Sequence, residues 1–579
     1  MPTKKLNTLL CLVASIASAQ ITGEIRGMVL DSTGAAVITA RVTAKNLETG
    51  FTRTQEVTDD GRFTFPLLPI GTFEVRAEAS GFRVSLTQAV VRTGEISTVQ
   101  FRLEVGQVTE TVIVTDIVSQ LDMENAQIQN SVAGETIQEL PVGRNPNMFA
   151  LMSPGIAPVS ANNPFLGSGS FNSNGGRGRG NNITVDGITA TDVSVTGTGG
   201  VLNPLHFASL KEVKVITNNF SAEYGRNSSS QVLYITKNGT NDLHGELFEY
   251  FQNDKLNARP FFDQTGKTNI SKKNYLGFEA GGPVYIPKIF DGRNKFFWHA
   301  AYQGDKVRGA GATRIANVPT PAMMAQISDP TSRALVEQYQ LPSTPSGQLP
   351  TAAPNTNDAY KVSVRGDLKL GGSDTLWARY SRSRSTDASS SLTFIQTNLP
   401  NFGAKSVGFP QQATVQEVHL FSPSIVNEFR FGFGRSTAAF PIDTPFPLGP
   451  RIVFQSAEVS SFGVWEGFPQ GRLQNTYQFT DNLAFLRGKH NFKTGFEYYH
   501  LVADSFADAL VHPLLTFANW AAFASGTPVI FQQRFGESTR ANRVRNAFAF
   551  LQDDLKVSRN LTLNLGVRYE FAEIGRAHV

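Results

Sequence analysis

The 579-residue chain has one cysteine, Cys11, and only 17% charged residues, where an ordinary soluble domain carries about a quarter. A lone cysteine excludes a disulfide framework and a thiolate metal site. Nowhere does the chain hold the unbroken run of roughly eighteen apolar residues that a spanning helix needs. Lys+Arg 52 against Asp+Glu 48 leaves a net charge of +4, which excludes a generally basic nucleic-acid binder and an acidic tail protein. Catalytic signatures are missing too: there is no G-x-S-x-G elbow, no H-E-x-x-H, no Walker A and no paired Cys/His spacing. The eight histidines are scattered. Asp59-Asp60 and Asp553-Asp554 are sequence neighbours that would point to opposite faces of a strand, unlike a carboxylate dyad. No catalytic residue, metal or cofactor is therefore expected. What abounds is 51 Gly and 43 Phe within a 40% hydrophobic chain, too apolar for disorder. A membrane protein that crosses without helices satisfies both the low charge and the absent helix.

The first residues read as an export signal, assigned to 1–19. Lys4 and Lys5 form a positive start, Leu6 to Ile16 an apolar stretch, and Ala17-Ser18-Ala19 a small-residue cleavage site with Gln20 the mature start. Cys11 lies inside the apolar stretch behind Leu10, where a lipoprotein signal wants a small residue, so lipid attachment there is not expected. Residues 20–105 alternate with period two between Gly and Asp turns, which predicts a small β-sandwich of Ig or transthyretin type. The order G-x-V-x-D-x-x-G, T-D-D-G-x-F-x-F, L-P-x-G-x-F-x-V, S-G-F resembles the carboxypeptidase-regulatory-like domain. No metal ligand or nucleophile sits in it, and no peptidase activity is implied.

Residues 106–120 contain Glu110-Thr111-Val112-Ile113-Val114-Thr115, by itself a short linker strand. Residues 121–242 then carry Leu140-Pro141, Arg144-Asn145, Pro154-Gly155, a Gly/Ser/Asn-rich loop, Asp186-Gly187 and Glu223-Tyr224-Gly225. In this order the motifs resemble the plug domain of TonB-dependent outer-membrane receptors, most of all the Oar-like group with a carboxypeptidase-regulatory-like domain in front. The resemblance implies an α/β plug and makes Glu110–Thr115 the TonB box, a flexible strand that pairs onto a partner's sheet edge. Read physically, Asp186-Gly187 is a tight turn after a buried strand, and Gly225 permits a bend few residues tolerate. Arg177-Gly178-Arg179-Gly180 has the look of an RNA-binding segment but reads as a plug loop in an exported chain.

From 243 to 572 the chain offers segments of about ten residues in dyad alternation. Phe429, Phe431 and Phe433, for example, oppose Glu428, Arg430 and Gly432. Such alternation also suits a soluble sandwich with one wet face. Connection lengths decide: about eleven strands, starting near residues 243, 274, 296, 360, 375, 413, 425, 474, 491, 543 and 561, are joined by alternately short turns and long loops, the pattern of an incomplete antiparallel outer-membrane β-barrel. With the plug in the lumen, the short turns face the periplasm and the long loops the outside. About eleven strands is half of the roughly twenty-two that the resemblance implies. Glu573 to Val579 breaks the alternation, and is what common sequencing-adapter DNA would encode, so 573–579 is read as a non-native tail on a gene fragment.

The resulting expectation is a Gram-negative outer-membrane receptor with a periplasmic N-terminal domain. It binds an extracellular ligand and imports it with energy relayed by the TonB complex. The alternative is an outer-membrane interaction or adhesion protein on the same scaffold without import. The expected partners are TonB, outer-membrane lipid and an extracellular ligand whose class stays open among siderophore, cobalamin, glycan and peptide.

Overall fold

The computed structural model describes residues 22–106, 111–113, 125–134, 136–140, 146–158, 171–191, 205, 207–258, 270–311, 313–388, 397–558 and 561–574. Ala19 and Gln20, the box residues Glu110, Val114 and Thr115, the plug residues Pro141, Arg144 and Asn145, and the tail from Gly575 lie outside them.

The N-terminal segment folds as a sandwich because its alternation puts Val29, Phe63, Phe65, Phe73, Val75 and Phe101 on facing inner surfaces, all fully buried. Its strands are β1 (Gly23–Asp31), β2 (Arg41–Asn46), β3 (Thr52–Glu56), β4 (Arg62–Leu68), β5 (Gly71–Glu78), β6 (Val84–Val91) and β7 (Ile96–Leu103). One sheet runs β4-β1-β7 and the other β3-β2-β5-β6. Gly27 is needed at the centre of the first, where a Cβ would come within 1.9 Å of the Val99 carbonyl oxygen. A further strand, β8 (Thr111–Ile113), extends the second sheet by pairing in parallel with Val84–Leu86 of β6.

The plug follows as a five-stranded mixed sheet of β9 (Ile128–Ala133), β10 (Asn182–Val185), β11 (Ile188–Thr189), β12 (Leu210–Asn218) and β13 (Gln231–Thr236), in the order β11-β10-β13-β12-β9. The helical turn Thr136–Glu139 lies beside it. β10 and β13 are buried at every residue. Both faces are covered, so the polar Asn182, Thr184, Gln231 and Thr236 are buried along with the apolar residues.

Eleven long strands form one antiparallel sheet, each paired with the next. They are β14 (His244–Asn253), β15 (Ser271–Pro283), β16 (Phe296–Ala310), β17 (Pro354–Leu370), β18 (Asp374–Ala388), β19 (Gln411–Ser422), β20 (Ile425–Phe440), β21 (Gln470–Arg487), β22 (His490–Ala507), β23 (Arg540–Ser558) and β24 (Leu561–Ile574). Among the described residues β14 and β24 have a neighbour on one side only, so the sheet is an unclosed barrel. It curls around the plug, turning one phase of each strand inward: Arg379, Ser381, Gln416, Glu428, Arg430 and Gln478 are buried. The opposite phase presents Tyr302, Val364, Phe429, Phe479 and Phe496 to the surroundings.

The long connections are not loose. Segments between β16 and β17, β18 and β19, β20 and β21, and β22 and β23 share one apolar core containing Tyr339, Phe402, Phe462 and Phe523. Helices α1 (Pro321–Ala325), α2 (Pro330–Gln338) and α3 (Trp520–Ala524) belong to this cap. Thr320, Asp329 and Asn519 cap their N-termini with side-chain oxygens. Trp520, 1% exposed, fills the centre and donates its indole N–H to the Met323 carbonyl at 2.9 Å. The expectation of surface loops was right about their place in the chain. It missed the core because Phe402, Phe462 and Phe523 share no local period. Replacing Trp520 by Ala is expected to destabilise the cap by about 3–5 kcal/mol. Hydrogen exchange should then accelerate in residues 313–341 and 451–464 while strands β19 to β22 keep their protection.

Candidate functional site

Asp186 and Gly187 occupy the turn between β10 and β11, with φ of +47° and +77°. An Asp that tolerates the left-handed region followed by Gly is what such a turn demands. The Asp186 carboxylate is completely buried. It accepts hydrogen bonds from the Thr236 N–H at 2.9 Å and the Thr236 hydroxyl at 2.7 Å. Its remaining capacity meets Arg379 of β18, whose Nε lies 2.6 Å from Oδ2, both side chains fully buried. The Arg379 guanidinium is also held by Ser381 and Gln412. Arg365 of β17 stands next to the pair, 4.2 Å over the Trp377 ring, bound to Asp367 at 2.7 Å. A plug turn is thus locked to the barrel wall by a charge pair with few unsatisfied atoms.

The neighbouring turn residues extend the lock. Gln478 of β21 accepts from the Thr189 N–H at 2.9 Å and donates to the Gly187 carbonyl at 3.1 Å. Ile188 presses on Gly432 of β20, where a Cβ would lie 2.2 Å from its Cδ1. Arg379 and Gln478 are not singled out by the sequence, which marks Gly432 only as a residue opposite the phenylalanines of its strand. The signal that marks Arg379 is its inward phase with Ser381 and Ser383, a charge where the wall must meet something polar.

Among the other plug-motif residues, Leu140 packs against the plug core. Pro154 and Gly155 form a turn in which Gly155 has φ +79° and accepts from the Asn174 N–H at 2.7 Å. Glu223 and Tyr224 are buried, and burial pushes both side chains above their usual pKa. Gly225 differs from expectation. The positive φ falls on Arg226, at +56°, whereas Gly225 is required by close approach: a Cβ would sit 2.0 Å from Glu570 Oε1 and 2.1 Å from Arg568 Nε. Arg226 covers the Tyr499 ring at 4.4 Å.

The sandwich closes the short-turn mouth of the barrel. Leu67, with φ +52°, inserts among Val418, Val426 and Ala484 of the barrel wall. Arg26 reaches Asp554 at 3.0 Å, and Glu24 accepts from Asn491 at 3.0 Å. On the plug side, Lys211 pairs with Glu48 at 3.0 Å. Thr93 donates through its N–H and hydroxyl to Glu212 at 3.2 and 3.1 Å. Thr111–Ile113, from the segment expected to be the TonB box, add to the edge of this same sandwich. Elsewhere, Asp374, Glu417 and His419 each bring one carboxylate oxygen or ring nitrogen within 4.8 Å of the others on the outer face of β18 and β19, with His419 Nδ1 2.5 Å from Asp374 Oδ1.

Two outcomes follow. Arg379→Met should cost about 3–5 kcal/mol in denaturant unfolding by stranding a buried carboxylate. Adding Asp186→Asn, which suits the same turn, should recover most of that. Glu212 is raised by burial, with Lys214 opposing. Because its folded pKa lies above its unfolded one, its contribution is full below the unfolded value and fades as pH rises through the folded value. Protease release of the sandwich should therefore increase with pH across that window, and Glu212→Gln should flatten the dependence.

Three family profiles match the chain: a carboxypeptidase regulatory-like domain over residues 24–104, a TonB-dependent receptor plug domain over 122–232, and an outer membrane beta barrel domain over 235–576. The TonB-dependent transporter Oar of Myxococcus xanthus is 24% identical over 296 residues, 48% of this chain and 27% of that protein. The outer membrane transporter YddB from Escherichia coli is similar in fold, with a TM-score of 0.52 at 13% identity, covering 77% of this chain and 56% of that one. The siderophore receptor PirA from Acinetobacter baumannii gives 0.50 at 14% identity, covering 78% and 57%. The chain thus spans just over half the length of these solved relatives and about a quarter of the curated one. With a barrel profile covering more than half of its residues behind a plug profile and a regulatory-like sandwich, the chain belongs to the TonB-dependent outer-membrane receptors.

Proposed function

We propose that the protein imports an extracellular ligand across the outer membrane, with Glu110–Thr115 as the TonB box and the N-terminal sandwich in the periplasm. The observation that carries this reading is the position of the box strand. β8 holds only three register pairs, on the edge of a sandwich that itself grips the plug through Lys211 and Glu212. A short edge strand is easily exchanged for a partner's strand. A pull on it leads directly to the plug sheet through the same polypeptide. The sandwich, the box linker, the plug and the barrel act as successive units, and the plug moves once the Asp186–Arg379 lock opens. Energy comes from the TonB complex, so no nucleotide site or catalytic group is required of this chain.

In this arrangement the short turns face the periplasm and the cap faces outside. The compact cap core also supports the second reading, a rigid outward surface for adhesion or assembly without import. Deleting Glu110–Thr115 in the receptor as expressed in cells separates the two. Import predicts that TonB-dependent uptake is lost while surface ligand binding is retained. An unchanged phenotype sinks the assignment of the box. Orientation is read separately, by labelling Thr331→Cys in the cap with a membrane-impermeant maleimide on intact cells, where strong labelling is expected.

A further inference from the structure

The outward phase of the barrel strands carries a layered charge pattern. The registers of β15 to β23 place Leu276, Tyr302, Val364, Tyr380, Val415 and Phe431 at one level, continued by Phe479, Phe496 and Ala549. This level steps toward the short turns by about one residue per strand, as tilted barrel strands require. Two residues from it, on either side, the outward positions are uncharged in every one of these strands except β18, β19 and β21, which carry Arg382, Glu417 and Asp481.

Four residues from that level toward the long connections, about 13 Å along the strand at about 3.3 Å per residue, the outward positions are Lys272, Lys306, Tyr360, Arg384, Gln411 and Arg435, then Asn475, His500 and Arg545. Five are permanent cations and none is an acid. Four residues the other way the same strands offer Ala280, Trp298, Leu368, Leu376, His419 and Asn427, then Leu483, Phe492 and Asp553, with no Lys or Arg. The distance from centre to cationic level is about half the apolar height of an outer-membrane barrel, roughly 25 Å. From β16 to β20 the cations stand on alternate strands, with Tyr360 and Gln411 between them, and beyond β20 Arg435 Nε meets Asn475 Oδ1 at 2.7 Å. Arg384 has no carboxylate within 4 Å among the described residues, while Asp358 and Asp504 near this level are already paired with Arg308 and Arg543 at 2.8 Å, and Glu573 of β24 stands in register with Arg545.

We infer that this ring, with Lys306, Arg384 and Arg435 at its centre, is a binding surface for the phosphate groups of lipid in the leaflet at the cap end. A lipid source is argued by continuity. The cations share a face with the apolar band and stand one half-thickness above it, where a headgroup sits over its own acyl chains. Dependence on lipid phosphate, unlike a general preference for a bilayer, requires the ring itself. The inference rests on these strands spanning the membrane. The vesicle experiment below reads the ring whichever end faces outside, so its failure and a failure of the proposed orientation are distinguishable.

The test uses the receptor purified from outer membranes and returned to vesicles of phosphatidylcholine alone or of equal parts phosphatidylcholine and phosphatidic acid. The expected result is a higher Tm in the phosphatidic acid vesicles, with at least half of the rise lost in Lys306→Gln/Arg384→Gln/Arg435→Gln. Inorganic phosphate added to phosphatidylcholine vesicles should not reproduce the rise. An equal response from the triple variant, or full reproduction by free phosphate, overturns the inference. If the variant does not fold, the wild type alone decides: the rise should shrink between about 0.05 and 0.5 M salt as charges are screened, and a rise indifferent to salt overturns the proposal.

Discussion

A backbone amide or carbonyl inside hydrocarbon has no water to bond, and leaving one unpaired costs several kcal/mol. A chain without an apolar helix can cross such a layer only if every strand gives its backbone groups to two neighbours. The eleven-strand sheet answers that demand along its length, since each of β15 to β23 is paired on both sides. Most other features of the barrel follow from this pairing. Strands bonded at both edges have only their side-chain phases free to differ, so one phase goes to lipid and the other to the lumen.

The lumenal phase then creates a second demand. Arg379, Arg430, Glu428 and Gln478 are polar enough to line water, yet here they are buried by the plug. A plug with an apolar surface would strand them. The plug therefore meets the wall with its turns and polar edges: the Asp186 carboxylate, the Gly187 carbonyl, the Thr189 amide. Such contacts hold firmly when matched and have little residual attraction once displaced, because water can satisfy each group equally well. That suits the proposed import, in which the plug is both fixed and removable. The sandwich repeats this economy at the mouth, using Glu24, Arg26, Lys211 and Thr93 around the single apolar wedge of Leu67.

Much of this was legible in the sequence, for identifiable reasons. Phe429, Phe431 and Phe433 alternate with Glu428, Arg430 and Gly432, and no packing context is needed to see which set faces lipid. The strand starts found at 425, 490 and 561 follow short turns whose Pro, Gly and Asn residues punctuate the pattern. The Asp186-Gly187 turn was visible because its backbone needs are local. Its partner Arg379 was not, since a charge pair between residues nearly two hundred positions apart leaves no local trace. Gly225 was noticed but for the wrong physical reason: the crowding comes from Arg568 and Glu570, far along the chain. The cap core escaped notice for the same cause, its aromatic residues being gathered from four separate connections.

That shared core changes what variation at the surface can do. In a barrel with independent loops, each loop drifts on its own, and an insertion in one leaves the others untouched. Here Tyr339, Phe402 and Phe462 meet ring against ring, 5.5 to 5.8 Å apart, and Phe462 meets Phe523 at 5.7 Å. A change of volume in any one connection must be absorbed by the other three. The cap of this receptor is thus inherited as one block: related chains should differ there by wholesale exchange of matched loops, and an antibody raised against it should see residues far apart in the sequence as a single epitope.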